Sequence, residues 1–271
     1  MCGIVGFTGR QEAAQILLEG LKKLEYRGYD SAGLAVLGKN GISMIKTTGK
    51  IANLCEKTQD GKLLPGFAGI GHTRWATHGA PTDINAHPHM SNDGKFAVVH
   101  NGIIENYAVL RDELVEKGFE FKSETDTEVV VHLLSLYYNG DLKEAVMKAT
   151  ARLEGSYGLG VVCADYPEHI VATRQFSPLI LGVGVGENYF ASDVTALISH
   201  TKNVIYLEDG EVADITPDEI CVYGPTGKPV EKEITRVQWD MEAAEKGGYD
   251  HFMLKEIIEQ PRAIKSTVEP R

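Results

Sequence analysis

The sequence has 271 residues, 43% hydrophobic and 24% charged, an ordinary balance for one large or two small folded domains with a sizeable core. Its formal charge of −11 disfavours nucleic acid and anionic lipid as partners, because an acidic surface repels phosphate. No apolar run approaches the roughly 20 residues of a spanning helix, and the N-terminus lacks the basic-then-apolar layout of a signal peptide, so no membrane partner is expected.

In chain order, Gly3–Thr8 is a short apolar run bounded by glycines and reads as a buried strand. Ala14, Leu17, Leu18, Leu21 and Leu24 then recur at three- and four-residue spacing, which predicts an amphipathic helix ending near Arg27-Gly28. Ala32–Leu37 and Ile42–Thr48 predict two strands joined by a turn at Gly38-Lys39-Asn40-Gly41. Phe67–Thr73 and Phe96–His100 predict two more. Helical spacing covers Asn106–Lys117, Glu128–Tyr138 and Asp141–Arg152, the second opened by a capping box of Thr125 and Glu128. From Tyr157 the pattern turns to strands: Gly158–Ala164, Ile170–Thr173, Leu179–Gly184, Tyr189–Ser192, Val204–Leu207, Glu211–Ile215 and Glu219–Tyr223. So many strands with few crossover helices predict an α+β layered architecture of largely antiparallel sheets flanked by helices. After Tyr223 a Gly-Pro-rich loop leads into charged, weakly periodic text through Arg271, read as a linker out of the domain.

Four cysteines, Cys2, Cys55, Cys163 and Cys221, lie far apart with no CxxC pair, so neither a disulfide framework nor a zinc site is expected and a reducing cytoplasm fits best. Cys55, Cys163 and Cys221 sit in apolar surroundings and read as inert packing thiols. Cys2 differs. A start methionine before a small residue is usually cleaved, and its removal would leave Cys2 with a nucleophilic thiol and, in its α-amine, a base of pKa roughly 7.7–8.0. Three further segments carry candidate chemistry. In Gly71–Gly79 (GHTRWATHG), Arg74 ends a strand and offers a planar fork to a carboxylate. In His100-Asn101-Gly102, the Asn NH₂ and the Gly N–H are donors of the kind an oxyanion hole uses, although the pair also suits a turn. Asp126 lies at a helix start, where dipole stabilisation alone would also place it.

Together these segments resemble the class II (N-terminal nucleophile) glutamine amidotransferases, most closely the glutaminase half of the members that aminate fructose 6-phosphate. The carriers are MCGIVG at 1–6, LEYRGYDSAG at 24–33, GHTRWATHG at 71–79, NAHPH at 85–89, HNGIIENY at 100–107, SETDTEVV at 123–130 and ASD at 191–193. The resemblance implies a four-layer αββα sandwich of the Ntn-hydrolase type, no cofactor, and hydrolysis of L-glutamine to glutamate and ammonia through a γ-glutamyl thioester on Cys2. It implies that Asn101 and Gly102 stabilise the oxyanion. Arg74 would bind the substrate carboxylate, with Thr77 and His78 nearby, and Asp126 would bind its ammonium. Trp75 would shield the site within a mobile loop, Arg74–Pro81, and Arg27 would support the nucleophile. It also implies an ammonia-accepting isomerase domain and a homo-oligomer in the full-length enzyme. On this basis residues 1–223 are expected to be the amidotransferase domain. Residues 224–271 are expected to be a linker and the start of the isomerase half, which Tyr249–Ile257 and Glu259-Gln260-Pro261 resemble, so the chain is expected to be one domain or piece of such a protein.

Two other functions compete. Five of the nine histidines, His72, His78, His87, His89 and His100, fall within 29 positions, but Pro88 stiffens the closest pair and no acidic or cysteine partner has ligand spacing, so hydrogen bonding is expected in place of metal. If Met1 stays on, Cys2 has an amide where its amine should be, and the domain would be a catalytically dead binding module.

Overall fold

The computed structural model describes residues 2–238, 248–249 and 251–268, with Arg27, Phe252 and Ser266 described by their backbone alone. Two compact units divide the chain, 1–236 and 237–271.

The first unit is built on two sheets whose strand pairs are all antiparallel. The first comprises β1 (Gly3–Thr8), β2 (Ser31–Gly38), β3 (Gly41–Thr48), β4 (Ala68–Arg74), β9 (Ile180–Val183), β10 (Asn188–Ala191), β11 (Asn203–Tyr206) and β14 (Thr235–Arg236), in the order β14-β11-β9-β10-β1-β4-β2-β3. The second comprises β5 (His89–Met90), β6 (Phe96–Ile104), β7 (Gly155–Cys163), β8 (Ile170–Gln175), β12 (Val212–Ile215) and β13 (Ile220–Tyr223), in the order β13-β12-β8-β7-β6-β5. The helices are α1 (Ala13–Leu24), α2 (Ile51–Thr58), α3 (Tyr107–Glu116), α4 (Glu128–Tyr137) and α5 (Leu142–Thr150).

Three apolar layers show how these elements stack. One joins Leu17, Leu21 and Leu24 of α1 and Leu54 of α2 to Val5, Leu34 and Tyr189 of the first sheet. A second joins Leu110, Val130, Leu134 and Val146 of α3 to α5 to Phe96, Val98 and Val161 of the second sheet. The third lies between the sheets, where Ile4, Ile70 and Phe190 meet Val99, Val162 and Ala172. Val98 and Val99 face different layers because successive strand residues point to opposite faces. The result is a four-layer αββα sandwich with both sheets covered on both faces, which is why β1 and β2 read as largely apolar runs.

Three expectations need correction. β6 runs on to Ile104, so Asn101 and Gly102 lie within a strand. The capping box at Thr125 does not form. The N-cap of α4 is Thr127, without a side-chain cap, and Glu128 folds back to accept from Lys122 N (2.8 Å), Ser123 N (2.6 Å) and Ser123 Oγ (2.6 Å). In the second unit, α6 (Phe252–Val268) occupies text read as weakly periodic and carries Pro261 inside it.

Glu128 braces the segment that presents Asp126. Burial works against its ionisation, but the Ser123 and Lys122 donors, with His132 nearby, overcome it and hold the carboxyl down at about 2. A folded pKa below the unfolded value of about 4.3 contributes stability that is present above that value and lost as pH falls toward 2. Glu128→Gln is expected to lower stability at neutral pH by about 2–3 kcal/mol, on the scale of hydrogen bonds to a charged acceptor. It should also flatten the loss of stability between about pH 4.3 and pH 2. Urea melts across that range check both, and an unchanged acid limb refutes the linkage.

Candidate active site

Cys2 immediately precedes β1, a central strand of the first sheet. Gly3 sets how closely that end seats: a Cβ there would come within 2.7 Å of Leu24 Cβ and Thr73 Oγ1. β4 runs antiparallel beside β1, with Gly3 opposite Thr73, so its exit at Arg74 and Trp75 meets Cys2. Trp75 N donates to Cys2 Sγ at 3.2 Å. From the second sheet, β6 brings Asn101, whose Nδ2 donates to the Cys2 carbonyl at 3.1 Å. The segment before α4 brings Asp126.

These ends surround a cavity of about 380 Å³ whose lining includes Cys2, Arg74, Trp75, Thr77, His78, Asn101, Gly102 and Asp126. Eight of the nine residues singled out from sequence are therefore brought together. The Arg27 side chain lies outside the described residues, as does Met1.

Burial pushes the Cys2 thiol up from its ordinary value; the Trp75 N–H works the other way. A thiol held protonated needs a base at the moment of attack. Beside it, alternate N–H groups of β6 point away from β7, as an antiparallel ladder requires. His100 N donates to His87 Nδ1 (3.3 Å) and Ile104 N to Asp126 Oδ2 (2.8 Å). Gly102 lies between them in β6 and lines the cavity. Gly102 has φ +130, and a Cβ on it would lie 2.1 Å from Ser156 O, so only glycine fits.

Arg74 is 3% exposed. Its Nη1 donates to Ala80 O (3.3 Å) and its Nη2 to Gly79 O (3.2 Å) and His78 O, so the arginine holds its own following loop. Three of five N–H donors are used, which leaves two. Asp126 is 4% exposed, and among the described residues no Lys or Arg is ion-paired with it. A buried carboxylate in that state suits a cationic ligand. The Trp75 ring is half exposed and stands edge-on to Tyr29 at 5.5 Å, while the His78 ring meets Tyr107 at 5.5 Å.

Sequence reasoning missed one contributor. Asp30, inside LEYRGYDSAG, accepts from Ala76 N and Ser31 Oγ, and its own N–H donates to Arg74 O at 3.1 Å, so it fixes both ends of the Trp75 turn. The signal was present, since aspartate often binds nearby backbone, but its partner is 46 residues away. The histidines form a buried wall. His72 stacks on His87 at 4.3 Å, and Thr125 and Thr127 bond His89 Nε2 (3.1 Å) and His100 Nδ1 (2.9 Å). Burial depresses all four, His72 to about 3, so they are neutral hydrogen-bonding groups. Among the described residues no group of His, Cys, Asp and Glu has metal-ligand geometry.

Comparison with known proteins gives the following similarities. The profile of a family described as "Glutamine amidotransferase domain" matches residues 72–199. A Clostridium perfringens protein named glutamine–fructose-6-phosphate aminotransferase (isomerizing) is 56% identical over all 271 residues, which cover 44% of that protein. Its Aquifex aeolicus namesake is 52% identical over 99% of this chain and 45% of its own length. The chain thus spans less than half the length of these relatives. Among solved structures, the glutamine phosphoribosylpyrophosphate amidotransferase of B. subtilis superposes with a TM-score of 0.73 at 25% identity, over 84% of this chain and 50% of its own. A class II domain protein from Silicibacter pomeroyi has the same fold, with a TM-score of 0.58 at 14% identity over 82% of this chain and 99% of its own. The chain thus carries a class II glutamine amidotransferase domain, matched over residues 72–199.

Proposed function

We propose that the chain, once Met1 is removed, hydrolyses L-glutamine to glutamate and ammonia with Cys2 as nucleophile. The observation carrying this proposal is the convergence of the Cys2 thiol, the Asn101 and Gly102 donors, the Arg74 cation and the Asp126 carboxylate on one cavity. The thiol proton passes to the α-amine as Sγ attacks the carboxamide carbon. Negative charge develops on the carboxamide oxygen, where Asn101 Nδ2 and Gly102 N–H stabilise it. The α-ammonium then protonates the leaving nitrogen, the C–N bond breaks, and ammonia departs from a γ-glutamyl thioester. Water, deprotonated by the same amine, cleaves the thioester to glutamate and restores the thiol. Arg74 takes the substrate α-carboxylate with its remaining donors, Asp126 takes the α-ammonium, and Thr77 and His78 close the pocket. Trp75 shields the site, and Arg27 supports the nucleophile.

Asp126→Asn tests the ammonium site. Loss of one partner of a hydrogen-bonded charge pair costs roughly 2–5 kcal/mol, so glutamine should bind correspondingly more weakly, as read by titration on a Cys2→Ala background. Unchanged affinity would return Asp126 to the part of a helix-start residue.

We extend the proposal, on the names of the relatives, to a role in the full-length protein. Residues 1–223 would supply ammonia to an isomerase domain that follows a linker beginning at 224, for synthesis of glucosamine 6-phosphate from fructose 6-phosphate. A cytoplasmic location is supported by four free cysteines. Homo-oligomerisation of the full-length protein rests on the family resemblance alone. The 271-residue chain by itself should release glutamate without forming amino sugar, and fructose 6-phosphate should not stimulate it, because a ligand without a site shifts no equilibrium. Glutamate and glucosamine 6-phosphate assayed together decide this; amino-sugar product would refute the division of labour.

A further inference from the structure

We infer that His72 is a positioning residue for this reaction: its Nε2–H fixes the Asn101 carboxamide so that Nδ2 faces the reacting centre. The inference rests on the proposal that Asn101 is an oxyanion donor. His72 Nε2 lies 3.0 Å from His100 O and 3.0 Å from Asn101 Oδ1. A backbone carbonyl can only accept, so Nε2 carries the hydrogen and shares it between the two oxygens. That settles which way Asn101 points. A flipped amide would set its NH₂ against the Nε2–H and turn Oδ1 toward the Cys2 carbonyl, leaving two donors and two acceptors facing each other. The same flip would present an oxygen to the developing oxyanion, where a donor is needed.

The imidazole is itself constrained. His72 is fully buried on β4. His87 stacks on it with 23° between the rings and is tied in turn, since its Nδ1 accepts from His100 N and its Nε2 lies 3.5 Å from Thr127 Oγ1. Burial keeps His72 neutral, so it holds one N–H and one lone pair. The Nδ1 lone pair has no hydrogen-bond partner among the described residues. A buried polar atom left unsatisfied is unfavourable, and that marks the Nε2 side as the reason a histidine fits here.

Glutamine and asparagine substitutions separate the two ring nitrogens. In His72→Gln the new amide nitrogen would fall near the position of Nε2, and in His72→Asn near that of Nδ1. With Met1 removed, His72→Gln should retain kcat within about threefold, while His72→Asn should lose about 10- to 100-fold in kcat with little change in KM, short of the roughly 10²–10³ expected for deleting the donor itself. On an Asn101→Ala background, His72→Asn should cost nothing further, since no amide remains to orient. An equal loss in both backgrounds would overturn the inference. So would a silent His72→Asn beside a damaged Asn101→Ala, which leaves the oxyanion proposal intact. A silent Asn101→Ala overturns both. ¹⁵N NMR of the unaltered protein gives a readout independent of activity: His72 should be the Nε2–H tautomer and should not titrate between about pH 5 and about pH 9. An Nδ1–H tautomer, or titration in that window, would refute the hold on Asn101.

Discussion

Cys2→Ala is expected to abolish glutamate release, and a glutamine-like electrophile is expected to label Cys2 alone. All four cysteines are free, so selectivity must come from their surroundings. Burial pushes Cys163 up to about 11 and raises Cys221 as well, and neither lines the cavity that holds Cys2. The Cys2 thiol is also raised, so an unusually acidic thiol does not explain its reactivity. On the proposed mechanism the explanation is the base that arrives with Met1 removal: an amine on the same residue would take the proton as the bond forms. Protein that retains Met1 should therefore label slowly and turn over little while binding glutamine normally. The check is peptide mapping of the labelled protein together with its intact mass. Label on Cys55, Cys163 or Cys221, or full turnover by Met1-bearing protein, would overturn the mechanism.

Much of the sandwich was legible because both of its sheets are buried on both faces. Burial writes itself into sequence as apolar runs such as GIVGFT in β1 and GLGVV in β7, and glycine turns punctuate them. The α1 stripe was legible for the same reason, since one face meets β1 and the other meets water. What could not be read was anything that depends on register between distant strands. Asn101-Gly102 has the composition of a turn, and nothing local reveals that β7 continues opposite it to Gly155. Glu128 follows Thr125 at capping-box spacing, yet Lys122 and Ser123 N–H groups compete for its carboxylate, and that competition is a tertiary outcome. The histidines were noticed as a group, but whether a buried imidazole accepts or donates depends on carbonyls that only the fold brings near. Asp30 shows the limit most plainly. Its place in LEYRGYDSAG was visible, whereas its grip on the Ala76 N–H exists only because β2 pairs with β4.

Asn101→Ala carries the other large expected effect, a fall in kcat of about 10²–10³ with a smaller change in KM. The split follows from when the bond is made. In the resting site Nδ2 donates to the Cys2 carbonyl, so one hydrogen of the amide already holds the nucleophile's backbone and the other is available to an incoming oxygen. A ground-state carboxamide oxygen carries only partial charge and gains little from that donor, whereas the tetrahedral oxyanion carries a full charge and gains much more. In the proposed site Gly102 N–H would supply the second donor, so loss of Asn101 should leave measurable residual turnover. Gly102 cannot be probed by the same route, because a methyl group there would strike Ser156 O and report on folding. Asn101→Asp is the useful companion. It keeps the shape and the oxygen that His72 holds but replaces the donor with a second acceptor, so it should be at least as damaging to kcat as alanine. Steady-state kinetics on both variants, with glutamine affinity measured separately on Cys2→Ala protein, resolve the matter. A rise in KM with kcat unchanged would show that Asn101 contacts substrate only before reaction and would remove it from the oxyanion hole.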